Sequence, residues 1–91
     1  MRIDVLLCYV RLVRSRALGR ALAERGVARV NGVRVTKAHH PVRPGDVLTV
    51  PAHGKIVVAQ IVQLPRQRLP AREVADYLAA PASEPAELRH G

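Results

Sequence analysis

The dipeptide Asn31-Gly32, flanked on both sides by residues that alternate between valine and arginine, commits this part of the chain to a β-hairpin. A two-residue turn of type I′ needs positive φ at both central residues, which Asn and Gly adopt at least cost, and its twist matches that of the strands it joins. The register then follows without further assumption. Val30 faces Val33, Arg29 faces Arg34 and Ala28 faces Val35. Because side chains alternate across a strand, Ala28, Val30, Val33 and Val35 are expected on an inner side and Arg29 and Arg34 on the outer one. Like charges placed directly opposite repel mildly. A phosphate held between these two arginines would relieve that repulsion.

Upstream of the hairpin the period changes from two to 3.6. Ile3, Leu6, Leu7 and Val10 stand at i, i+3, i+4 and i+7, the spacing of a helix with one buried stripe. Asp4 falls in the first turn, where a carboxylate complements the positive helix end, and Arg2 is placed to pair with an acid near the N-terminus. Ser15 reads as the N-cap of a second helix, with Leu18, Ala21 and Leu22 as its expected inner face and Gly26 as the left-handed residue that ends it. Two short helices so joined form a helix-turn-helix.

Downstream, residues 36–46 read as a loop punctuated by Pro41, Pro44 and Gly45. Strands are expected over 47–50 and 55–64 with a turn over 51–54, then a short C-terminal helix over 70–80 carrying Val74, Tyr77 and Leu78. Beyond Pro81 the Ala, Ser, Glu and Pro content predicts a frayed acidic tail. The class is α+β: a helix-turn-helix packed on a small antiparallel sheet. At 91 residues it makes one folding unit, with residues 1–68 as the main domain and 69–91 as a short helix and tail.

Composition narrows function. The apolar share of 48% is aliphatic, with no Trp or Phe and only Tyr9 and Tyr77. Such a thin core supports a scaffold and leaves little room for a deep catalytic pocket. The net charge is +8 and lies at the front of the chain, since residues 1–50 hold ten cations and three acids. Arg far outnumbers Lys. Codon usage accounts for that preference, but it does not account for the lopsided distribution, which points to a polyanionic partner. Cys8, alone and on an apolar helix, reads as a core residue. His39 and His40 are adjacent, so a strand would send them to opposite faces, and no ligand set surrounds them. No metal or cofactor is expected. Asp46 in Pro-Gly-Asp is better explained by turn chemistry than by catalysis. There is no paired carboxylate, no nucleophile with its base and no glycine-rich phosphate loop, so catalysis is not expected. With no apolar run of signal-peptide or membrane-span length, the reading is a cytoplasmic protein.

Arg11, Arg14, Arg16 and Arg20 gather at the helix–helix junction, and only Arg20 has an acid, Glu24, at helical spacing. If the hairpin packs beside the second helix, Arg29, Arg34 and Lys37 extend the same surface. A solvated face normally mixes signs, and this one hardly does. Nucleic-acid binding is therefore the favoured reading.

The stretch from Arg2-Ile3-Asp4 through Arg11, Ser15-Arg16, Gly26, Val30-Asn31-Gly32, Lys37 and Pro44-Gly45-Asp46 resembles an S4-type RNA-binding domain in the order and spacing of its elements. Among such chains it is similar to the family of small ribosome-associated heat-shock proteins. The resemblance implies the αL-type RNA-binding fold and contact with structured RNA, namely rRNA of large ribosomal subunits that still carry peptidyl-tRNA. It also implies the contacts: Arg11, Arg14, Ser15, Arg16 and Arg20 from the helices, and Arg34 and Lys37 from the hairpin and the loop after it, to which the outer strand position of Arg29 adds a further candidate. Asn31 either touches RNA or only builds its turn. A DNA-binding helix-turn-helix regulator and a binder of free RNA or tRNA remain as alternatives, although no dimerisation helix for palindromic half-sites is evident. A monomer is expected.

Overall fold

The computed structural model describes residues 1–81. Its first helix, α1 (Ile3–Tyr9), buries the expected stripe, with Ile3, Leu6 and Leu7 fully inaccessible and Val10 nearly so. Asp4, the one buried charged residue among the described residues, is held by three donors. Arg2 donates from Nε and Nη2 at 3.0 and 2.9 Å, and the Val5 N–H donates at 2.8 Å. Charge-assisted bonds of this kind make burial of a carboxylate tolerable. The loop over 36–46 crosses the start of α1, where the Ile3 N–H donates to the His40 carbonyl and the Val42 N–H to the Met1 carbonyl. Cys8 is buried as a free thiol.

In α2 (Arg16–Glu24), Ser15 caps the helix as expected, its hydroxyl accepting from the Leu18 N–H at 3.2 Å. The buried face differs from the expected one. Gly19 and Ala23 are buried and Leu22 is half-buried, while Ala21 is exposed and Leu18 is 50% exposed. The cause is how closely the two helices approach. A Cβ on Gly19 would lie 2.6 Å from the Asp4 carbonyl oxygen, so only small residues fit the seam, and the larger Leu18 is turned outward. Gly26 ends the helix at φ +73.

The sheet is antiparallel throughout, and its strands β1 (Ala28–Val30), β2 (Val33–Val35), β3 (Val47–Ala52), β4 (Lys55–Ile61) and β5 (Leu78–Ala79) lie in the order β2-β1-β3-β4-β5. The first hairpin, β1 (Ala28–Val30) with β2 (Val33–Val35), has the expected register. Ala28, Val30 and Val35 are buried, but Val33 is 67% exposed, because it sits beside the turn on the sheet's edge strand, where no element covers it. The second hairpin is tighter than expected. In β3 (Val47–Ala52) and β4 (Lys55–Ile61), Pro51 pairs with Ile56 and Ala52 with Lys55, so the turn is His53-Gly54 alone. Pro51 is tolerated within a strand because β1 reaches only Leu48 and Thr49 on β3.

After β4 the chain folds back. The Leu69 N–H donates to the Tyr9 carbonyl at 2.9 Å, and Leu69 itself is buried. The expected C-terminal helix is present as a 3-10 helix over Ala71–Asp76, and the chain then adds β5 (Leu78–Ala79) to the sheet. Pairing of Leu78 with Ile61 offers its backbone a ladder that a longer helix would forfeit. The tail beyond 81, expected to be frayed, lies outside the described residues. The core joins α1 to the inner sheet face through Ile3, Leu6, Leu7, Val35, Leu48 and Ile61. No helix among the described residues is long and apolar enough to cross a membrane.

Candidate nucleic-acid interface

Successive residues of α2 turn by roughly 100° about its axis, so the sides of this helix can be assigned from its buried face. With Gly19 and Ala23 inward, Arg16 and Arg20 fall on one flank, and Leu18, Ala21 and Arg25 on the other. The structure therefore divides the expected basic cluster in two. On the Arg20 flank, Arg20, Lys37 and Arg2 line a shallow depression with His39 and Glu24. Arg20 is partly neutralised, its Nε donating to Glu24 Oε2 at 3.1 Å across exposed surface. On the opposite flank Arg11 and Arg14 line a groove with Arg25, Arg68 and His53.

Local backbone chemistry sets each group in place. Arg11 follows the end of α1 in the left-handed conformation, at φ 63, and its N–H donates to the Cys8 carbonyl. Its guanidinium reaches the Leu69 carbonyl at 3.4 Å, which ties it loosely to the returning chain. Arg14 and Arg16 are exposed and make no side-chain hydrogen bond or ion pair among the described residues. Ser15 contributes its hydroxyl to the cap of α2.

The hairpin meets the chain just past the end of the second helix. The Arg34 side chain passes over Gly26, where an added Cβ would lie 3.5 Å from its Cδ. Arg29 pairs with Arg34 across the strands, both exposed, and donates from Nη1 to the Gly32 carbonyl at 3.2 Å. No acid neutralises this pair among the described residues. Asn31 has both ends of its carboxamide engaged: Nδ2 donates to Asp46 Oδ1 at 3.1 Å, and Oδ1 accepts from the Val47 N–H at 2.9 Å. It fastens the hairpin to the start of β3. Asp46 also accepts from the Arg43 N–H through Oδ2, the turn chemistry anticipated for it. His39 is exposed, and among the described residues no three His, Cys, Asp or Glu side chains gather where they could hold a metal ion.

Sequence reasoning missed Arg25, Arg68 and His53. Arg25 ends α2 and was legible as a cation, yet its place depends on which face of the helix is buried. Arg68 reaches the groove only because Leu69 anchors the returning chain. His53 depends on the two-residue turn.

Comparisons with known proteins bear on the family and the fold. The family model for the S4 domain matches residues 1–48. A Bacillus subtilis protein named RQC P-site tRNA stabilizing factor is 39% identical over 64 residues, which cover 70% of this chain and 73% of that protein. Among solved structures, the trimeric structure of Vibrio cholerae Heat Shock Protein 15 superposes with a TM-score of 0.82 at 27% identity, covering 90% of this chain and 82% of that one.

Proposed function

The chain belongs to the S4 domain family, and from that membership we propose that it binds structured RNA, with large-subunit rRNA and its peptidyl-tRNA as the target. The observation that carries this reading is the set of exposed cations around α2 and the first hairpin. Arg14, Arg16, Arg34 and Lys37 have no acid partner among the described residues. The name of the Bacillus relative, which ties that protein to the P-site tRNA, supports the choice of RNA.

In this account Arg14, Arg16, Arg20, Arg29, Arg34 and Lys37 contact phosphates. Arg11 contributes from its tethered position. Ser15 and Asn31 act by positioning, one as the cap of α2 and the other as the fastening of the hairpin. Guanidinium forks suit phosphate oxygens, and RNA helices are read largely by shape and backbone. The protein does no chemistry and needs no cofactor, and it works in the cytoplasm where ribosomes are. All of these residues come from one chain, so the reading calls for no second copy. The DNA-regulator alternative finds no support in the family match.

The test is sedimentation of tagged protein from gently lysed cells through sucrose gradients at low and moderate salt. Co-migration with free large subunits, lost as salt rises, is the expected result. Migration only at the top of the gradient under both conditions would refute the ribosomal reading.

A further inference from the structure

The groove on the Arg25 flank of α2 differs in character from the rest of the basic surface. Its floor is apolar, formed by Leu12, Val13, Leu18 and Leu22, and its rim carries Arg11, Arg14, Arg25 and Arg68. At about 560 Å³ it lies within the roughly 300–1,000 Å³ typical of ligand sites. A second depression adjoins it, sharing Leu22, Arg25 and His53 and continuing past Pro51 to Lys55 and Ile56. Among the described residues, no acidic side chain lines either one. Together they form a track with an apolar floor and cationic edges.

A duplex does not need an apolar floor, because its bases are stacked inside and it presents phosphates and sugars. An unpaired segment does, since it exposes π-faces that gain from stacking while its phosphates still seek cations. His53 stands between the two depressions at φ 54. Asn or Asp would satisfy that turn position better, so an imidazole there has a use outside the turn, and an imidazole or a guanidinium plane can stack on a base. We infer that this track binds unpaired nucleotides of RNA flanking the duplex held by the basic surface, with Leu18, Leu22 and His53 against the bases and Arg14, Arg25 and Arg68 on the phosphates. This rests on the RNA-binding reading and specifies which part of the RNA meets which flank of α2. An acidic amphipathic protein segment is the competing occupant. It is disfavoured because Arg11 and Arg14 run on from the surface already assigned to RNA.

The experiment compares two RNA hairpins by fluorescence anisotropy at fixed salt. One carries a short single-stranded overhang, and the other carries an abasic overhang of the same length and therefore the same phosphates. The full chain is expected to bind the first about tenfold more tightly. Leu18→Glu places a carboxylate in the track. It preserves folding because position 18 is already half exposed and because Glu three residues after Ser15 completes a capping box. That variant should bind the two RNAs with nearly equal affinity while keeping most of its affinity for the abasic one. Arg25→Ala with Arg68→Ala should weaken binding of both RNAs by similar factors, because the two overhangs carry the same phosphates. Equal binding of the two RNAs by the unmodified protein would overturn the track and leave RNA binding intact. No binding of either would remove the reading on which the track rests.

Discussion

The protein contains the same two-residue turn twice, and puts it to two uses. At Asn31-Gly32 and at His53-Gly54 both central residues have positive φ, 52 and 81 in the first and 54 and 76 in the second. In the first turn the side chain is engaged by the neighbouring chain, where Asn31 bonds Asp46 and the Val47 N–H at the surface. In the second the side chain makes no hydrogen bond among the described residues, and it borders two basic depressions. One turn holds the fold together. The other presents a ring to solvent next to arginines. A backbone conformation therefore does not disclose what its residue is for, and the partners of the side chain do.

The largest change is expected from the seam between the two helices. Gly19→Ala forces α2 away from the Asp4 carbonyl, at a cost of about 1–3 kcal/mol. Thermal denaturation should show it as a fall in Tm of several degrees, since about 1 kcal/mol corresponds to roughly 4–8 °C at this size. The arginines of α2 shift with the helix in that variant, so the fall should come with weaker RNA binding as well.

Asn31→Ala comes next. It leaves the Val47 N–H to water and places alanine at positive φ, costing about 2 kcal/mol by denaturant titration. An unchanged midpoint would mean that the first turn is not the fastening described. On the same hairpin, Arg29→Ala with Arg34→Ala should leave stability intact or slightly raised, because a like-charge pair is relieved. RNA affinity should fall about tenfold, with a salt slope shallower by about two.

The smallest effect on stability belongs to the second turn. His53→Asn should stay within about 0.5 kcal/mol of the parent in a melt. It should nevertheless reduce the preference for an overhang with bases over an abasic one. If His53→Asn destabilised the fold as much as Asn31→Ala does, the contrast between the turns would collapse.

Much of this was legible in the sequence, for reasons that can be located. The α1 stripe, the Ser15 cap, Gly26 and the register of the first hairpin depend on neighbours within a few positions, and each stands as expected. The second hairpin was obscured by Pro51, which reads as a turn residue until β1 is known to stop short of it. The face of α2 was misassigned because hydrophobicity favours Leu18, whereas the close approach of α1 admits only Gly19 and Ala23. The arginines were visible as a cluster. Their division between two flanks was not, since it follows from that same close approach.

The proposed neutralisation of RNA phosphates by unpaired arginines around α2 is tested most directly by measuring the affinity of the protein for large-subunit rRNA fragments across a salt series, beside Arg14→Ala with Arg16→Ala. The account predicts that the logarithm of the binding constant falls linearly with the logarithm of salt concentration, and that the double variant binds more weakly with a slope shallower by about two. Identical affinity and identical slope in the two proteins would contradict it.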